Sequence, residues 1–420
     1  MPDNHDHENP IIRNAWQRGL DALQPTPAQL EHGLELHARS FACDSFTFLP
    51  SVFSAEFVEL HNELKAGNVG ARALHWATGL ARGIASTRDA RAAAEFTGAI
   101  RATGLNCLVQ TVAEGKSREQ DIKRMAMSRQ CCRVHRATIA QAGSVDEIRE
   151  ISASGRTAVV WSVNGPPIPG LLEDADEELG WVQTWYNLGV RLMHLTYNRR
   201  NFIGDGCAEP ANGGLSDLGR DLVREMNRVG IIVDTPHSAR QTTLDAARCS
   251  EKPMMASHTG AEAVLDHMRC KSDEELKAIA ATGGLIGVYV LPNMLGPDAT
   301  LQTMLNHVDH IARVVGTDHV AIGTDTTYAA EWPEAITGLP GARFRTTWWG
   351  NWNADNHPLP SSDEAARGSL AWTNWPLYTV GLVTRGYSDE DIVKILGRNF
   401  LRVLEANRPA EEVRIPESAE

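Results

Sequence analysis

Two histidines stand where a folded chain could use them. His237 follows the apolar run GIIVDTP, and His258 follows PMMAS, so each lies just past the end of a short apolar segment. One imidazole in such a place is ordinarily a hydrogen-bonded residue at the start of a loop. Two of them, on consecutive segments, point to something shared: a metal ion or a substrate, because neutral imidazole both ligates metals and carries protons near neutral pH. Asp325 ends the run HVAIGTD. A carboxylate there can accept a proton from water or from a substrate, or it can simply cap a loop. Arg269, in DHMRCKSDEEL, offers a planar fork to a carboxylate, although arginines in such loops are commonly solvated.

These residues need elements to hold them. Short apolar runs recur near 40–46, 106–112, 157–163, 191–196, 230–234, 253–257, 284–290 and 319–323, with amphipathic stretches between most of them. LSDLGRDLVREMNRV places Leu215, Leu218, Leu222, Val223 and Met226 on one helical face, and SDEELKAIAAT opens with a capping-box pair, Ser272 and Glu275. Continuous apolar strands alternating with helices predict a parallel sheet. Eight in one run predict an α/β fold of the (β/α)8 TIM-type barrel, whose chemistry sits at the C-terminal ends of the strands. A doubly wound open sheet is the competing architecture, but no GxGxxG follows the first strand. Residues 1–38 read as a helical extension on the barrel's lower face or side, 39–405 as the barrel, and 406–420 as a flexible tail. An excursion at 326–375, after the last strand, holds six of the eleven tryptophans and suits a substrate mouth, a subunit contact or a structural loop.

Composition bounds the partners. At 420 residues, 42% hydrophobic and 22% charged, the chain has the balance of a soluble globular protein, and its net charge of −13 argues against a nucleic-acid surface. No run of ~18 apolar residues occurs, so no membrane partner is expected. The N-terminus MPDNHDHENP lacks the basic-then-apolar order of a secretion signal. Seven cysteines with no CxxC pair suit reduced thiols in a cytoplasmic setting.

Several stretches together carry a family resemblance: GGLSDLGRDLVREMNRVGIIVDTPHS, PMMASHTGA, HVDHIARVVGTDHVAIGTD and RGYSDEDIVKILGRNFLRVL. They resemble the membrane dipeptidase (renal dipeptidase) family of amidohydrolase-like barrels, in the right order through most of residues 150–405 and more weakly upstream. The resemblance implies a hydrolase acting on a dipeptide-sized small molecule with a pair of zinc ions, and homodimers as the expected assembly. Carried over position by position, His237 and His258 match the two histidines of one zinc, Asp325 the acid/base aspartate, and Arg269 the arginine that holds the substrate carboxylate, with Cys270 where an asparagine usually follows. The remaining positions depart. In FACDSFTFLP, aligning Asp44 with the family's leading aspartate puts Phe46 and Phe48 where a histidine and an aspartate bind the other zinc. The bridging glutamate falls at Asn164, and the substrate-contacting histidine of the fourth strand becomes Tyr197.

Phenyl rings have no lone pair to give, and a neutral amide is a poor bridge between cations. The divergent site is therefore expected to carry one zinc at most, on His237 and His258 with Asp325 as third donor, or no metal. Three readings follow. One zinc could activate water for amide hydrolysis. A metal-free cluster of His237, His258, Asp325 and Tyr197 could move protons in a hydrolase, lyase or isomerase acting on an amino-acid-derived metabolite. Or the barrel could be a binding protein that retains the pocket alone. In each, Arg269, Tyr197, Asn164, Phe46 and Phe48 face the ligand, and the phenylalanines suit a bulkier or aromatic one.

Overall fold

The computed structural model describes residues 7–67, 71–168, 174–296, 298–331 and 364–409. Ten parallel strands form one sheet. They are β1 (Cys43–Thr47), β2 (Cys107–Thr111), β3 (Ile139–Gln141), β4 (Thr157–Val163), β5 (Val190–His194), β6 (Ile232–Asp234), β7 (Met255–Ala261), β8 (Cys270–Lys271), β9 (Leu285–Val288) and β10 (Val320–Ile322). Eight of these run round the barrel in the order β1-β2-β4-β5-β6-β7-β9-β10, with β3 pairing β4 and β8 pairing β7 at the margins. The first and last strands meet where the Asp325 N–H donates to Phe46 O (2.9 Å) and Ser45 Oγ to Ile322 O (3.1 Å). The expected barrel is present, with all eight expected strands in it. Sequence reading missed β3 and β8, which at three and two residues are too short to show a period.

Strand residues alternate between axis and helix layer. Cys43, Cys107, Val109, Ala158, Val160, Leu192, Ile232, Met255, Leu285 and Ala321 form one cluster that fills the barrel's interior. Two residues further along their strands, the layer beneath the mouth changes character: Ser45, Ser162, His194, Asp234 and Ser257 stand there, all buried. Two glycines complete it for a steric reason. A Cβ at Gly287 or Gly323 would lie 2.0 or 1.9 Å from Ser257 O and 2.5 Å from Ser45 Oγ. Any side chain there would push the strands apart.

The helices follow their sequence signals. Ser216 caps Asp217–Val229 by accepting from Gly219 N, and Ser272 with Glu275 makes the expected capping box on Asp273–Ala281. The N-terminal helices, Pro10–Leu23 and Pro27–Arg39, pack on the barrel's side against helix Trp375–Thr384. A Cβ on Gly33 would sit 2.7 Å from Val380 Cα, and buried His37 ties Thr379 Oγ1 (2.8 Å) to Thr103 O (2.9 Å). Of the tryptophan-rich excursion, residues 332–363 lie outside the described residues, as do 410–420 of the tail. No helix among the described residues is long and apolar enough to cross a membrane.

Candidate functional site

The strand ends bring His237, His258 and Asp325 together. His237 Nε2 lies 3.1 Å from His258 Nε2, and His258 Nε2 lies 3.9 Å from Asp325 Oδ2. Both histidines are buried, while the Asp325 side chain keeps 16% of its surface open toward the mouth. The ring nitrogens away from the contact fix its polarity. His237 Nδ1 is 2.6 Å from Asn198 Oδ1, an acceptor, so Nδ1 carries the proton and Nε2 presents a lone pair. That lone pair accepts from His258 Nε2–H, which leaves His258 Nδ1 to accept from the Ser257 hydroxyl at 2.9 Å. The result is a directed chain of hydrogen bonds from Ser257 through both imidazoles to Asn198.

Charge agrees with this assignment. Burial holds both imidazoles well below their ordinary pKa, with the Arg269 cation next in effect. Both are neutral at pH 7, as a chain of single donors and acceptors requires. Asp325 goes the other way: burial pushes its carboxyl up to about 7, Arg269 pulls it down and Asp44 pushes it up again. A carboxyl that titrates near neutrality can both accept and return a proton at working pH. Its backbone is left-handed (φ 52°), a conformation sparsely used by non-glycine residues. Two contacts hold it there: Asp325 N on Phe46 O, and Asp44 on the preceding residue, Thr324 (N to Oδ1 2.9 Å, Oγ1 to Oδ2 2.7 Å).

The other sequence-derived positions divide. Tyr197 stacks on His237 with ring centroids 4.0 Å apart, and burial raises its phenol far above the ordinary value, so its hydroxyl stays a donor. Phe46 is 2% exposed and stacks on His258 at 3.9 Å, with Phe48 edge-on to it at 5.9 Å. Phe46 therefore acts as a floor under the imidazole. Arg269 is also buried, 1% exposed; its two Nη atoms donate to Pro236 O and to His258 O (3.2 Å), and its Nε has no partner. The guanidinium is a strut between the segments that carry the two histidines, with Nε as its unengaged donor. Asn164 sits to one side, accepting from Thr111 Oγ1 (2.9 Å) and donating to Glu114 Oε2 (3.2 Å).

Sequence reading missed His194, Asp234, Ser257, Asn198 and Glu114. His194 and Asp234 end β5 and β6, so the strand-end rule that found His237 applied to them as well. Glu114 follows β2 and is paired with Arg124.

The donor set decides what a metal could use. Two imidazole nitrogens on one tetrahedral zinc stand roughly 3.3 Å apart for Zn–N bonds of about 2.0–2.1 Å, so the 3.1 Å separation alone would admit an ion. A third donor is what fails. Asp325 Oδ2 is 3.9 Å from His258 Nε2, and no group of three His, Cys, Asp or Glu among the described residues has the geometry to hold an ion. At the second ion's corner the phenyl ring of Phe46 occupies the space against His258. These residues fit neither two ions nor a well-held single one.

An eight-stranded parallel barrel with an imidazole pair and a carboxylate at or just past its strand ends defines an amidohydrolase-like barrel. Comparison with known proteins narrows this. The chain belongs to the membrane dipeptidase family (peptidase family M19), whose model matches residues 31–339. Among curated relatives, it is 28% identical over 277 residues to Dipeptidase tcpJ of Claviceps purpurea, covering 65% of this chain and 55% of that one. It is 32% identical over 228 residues to an uncharacterized dipeptidase of Schizosaccharomyces pombe, covering 53% and 48%. The chain thus spans about half the length of the curated relatives it matches. In fold it resembles an amidohydrolase from Pseudomonas aeruginosa (TM-score 0.64, 24% identity, 89% of this chain and 98% of that one). It also resembles a metallopeptidase from Rhodobacter sphaeroides liganded with a phosphinate mimic of L-Ala-D-Ala (TM-score 0.57, 20% identity, 73% and 88%).

Proposed function

We propose that this protein hydrolyses an amide bond in a dipeptide-sized, amino-acid-derived substrate by acid/base chemistry at Asp325, His237 and His258. The observation that carries the reading is the 3.1 Å imidazole pair beside a carboxyl poised near pH 7. In the proposed cycle Asp325 takes a proton from water as the oxygen attacks the carbonyl carbon. Tyr197, a donor at the mouth, hydrogen-bonds the developing oxyanion. The tetrahedral centre collapses with cleavage of the C–N bond, and the departing nitrogen receives the proton held by Asp325. The neutral imidazoles at the floor, each with both ring nitrogens engaged, hold the hydrogen-bond polarity of the site while Asp325 carries the proton.

The same centre also suits proton transfer without hydrolysis, as in a lyase or isomerase. That second reading is favoured by the absence of a third metal donor within reach among the described residues. The proposed cofactor load remains one zinc at most. The seven unpaired cysteines support a reducing, cytoplasmic setting, and a homodimer is the proposed assembly.

The test is metal analysis of protein purified without chelator, paired with a dipeptide panel that includes D-residues at the C-terminal side. We expect no more than one equivalent of transition metal, and hydrolysis that survives its removal. Two equivalents per chain, with hydrolysis lost on chelation, would overturn the mechanism. A second experiment probes the filled corner. Phe46→His with Phe48→Asp is expected to leave dipeptide turnover no higher than wild type, because Asn164 stays committed to Thr111 and Glu114 and cannot bridge cations. A gain of tenfold or more (about 1.4 kcal/mol) in that double variant would show that the corner alone had been limiting.

A further inference from the structure

Under the imidazole pair lie two polar groups that the proposed cycle does not use. His194 and Asp234 are partners in the β5–β6 register, and both are fully buried. His194 Nε2 stands 3.2 Å from Asp234 Oδ2, yet neither ring nitrogen of His194, nor that oxygen, has a hydrogen-bond partner; nearby, Ser162 Oγ has none either. An unpaired polar group in a dry interior costs about 1–3 kcal/mol, so two of them facing each other at this distance call for a proton between them. The other carboxylate oxygen is already engaged: Asp234 Oδ1 accepts from Ser257 N at 2.8 Å. Ser257 is in turn the residue whose hydroxyl meets His258 Nδ1. The His194 ring also lies 5.4 Å from that of His258, 5.6 Å from that of His237 and 5.3 Å from that of Phe46.

We propose that His194 and Asp234 share a proton inside the barrel and that this buried pair positions His258, through Ser257, in the tautomer that donates to His237. They are positioning residues, since neither reaches the mouth. The chain of contacts runs from His194 to Asp234 Oδ2, from Asp234 Oδ1 to the Ser257 amide, and from the Ser257 hydroxyl to His258 Nδ1. Each link is buried, the first a 3.2 Å contact and the other two hydrogen bonds of 2.8 and 2.9 Å, so a change at one end is felt at the other. With a phenyl ring filling the neighbouring corner, this pair is the polar support that the histidines have from below. The consequence for catalysis rests on the proposed function; the consequence for the His258 tautomer does not.

The experiment uses the full chain with 15N-labelled histidine and reads imidazole nitrogen shifts beside steady-state kinetics. In the wild type, His258 is expected as a single Nε2–H tautomer. Asp234→Asn keeps an acceptor for Ser257 N but turns an amide toward His194, and His194→Gln removes the imidazole. Each is expected to give a mixture of His258 tautomers and to lower kcat at least tenfold on any dipeptide turned over, with KM within threefold. Ser257→Ala, which removes a single hydroxyl, should give the same mixture and stands in if Asp234→Asn does not fold. Unchanged His258 shifts in His194→Gln and Ser257→Ala would overturn the proposal. A wild type inactive on every dipeptide would refute the hydrolytic reading while leaving the tautomer measurement to decide this one.

Discussion

Asp325→Asn is expected to lower kcat/KM by roughly 10²–10⁴-fold, the usual contribution of a positioned general base, on whichever substrate the wild type turns over. Asparagine keeps the size and the backbone contact to Phe46 O but cannot take a proton from water. The pH profile gives a second check. Burial pushes the carboxyl up to about 7, so the ionised base accumulates, and wild-type activity rises, as pH passes through about 7. Stability runs the other way. A carboxyl whose folded pKa lies above its unfolded value of about 3.9 contributes stability that is complete below that value and is lost as pH rises through about 7. The asparagine variant should therefore melt no lower than wild type at pH 8 while turning over far less. Equal turnover of every substrate by variant and wild type would remove Asp325 from the mechanism.

The second large effect is expected at Asp44, and it is one of stability. Among the described residues this carboxylate is held by neutral donors, with no cation bonded to it. Oδ2 accepts from Thr324 Oγ1 (2.7 Å), Trp372 Nε1 (3.0 Å) and Trp375 Nε1 (3.1 Å), while Oδ1 accepts from Thr324 N (2.9 Å) and Phe46 N (3.3 Å). Burial pushes its pKa up to about 6 against the pull of these bonds. Asp44→Asn would aim an amide NH2 at two indole N–H groups and a hydroxyl. With each buried unpaired group costing about 1–3 kcal/mol, the expected loss is roughly 2–4 kcal/mol, read as a lower urea midpoint at pH 7.5. Asp44 also holds Thr324, so the variant should lose activity through Asp325 even where it stays folded. A variant as stable as wild type would mean that the indoles find other acceptors.

How much of this was legible in the sequence follows from what each feature depends on. Buried parallel strands are continuous apolar runs, and β4 (TAVVWSV) and β9 (LIGV) show it plainly, so the barrel could be read from local pattern alone. His237, His258 and Asp325 were legible because each sits just past such a run. His194 was passed over inside the run RLMHLT. Its inward direction depends on where the strand's two-residue period starts and on its register with Asp234, and neither is written locally. The partners that tune the site are further away still. Asn198 is 39 residues from His237, and Trp372 is 328 residues from Asp44; such pairs exist only once the barrel has closed. Arg269 was legible as a cation but not as a strut, because its acceptors are backbone carbonyls that any sequence would supply.

Both ends of the tryptophan-rich excursion are moored to the same place. On the way out, Ser51, just beyond β1, exchanges hydrogen bonds with Tyr328 O (2.8 Å) and Ala330 N (2.9 Å); on the way back, Trp372 and Trp375 fasten to Asp44 within β1. The exit and the return are thus pinned a few residues apart, at Ser51 and Asp44, on the strand that carries Phe46 and just beyond it. Both moorings lie outside residues 332–363, so substitutions confined to those residues are expected to leave β1 and the floor of the site in place.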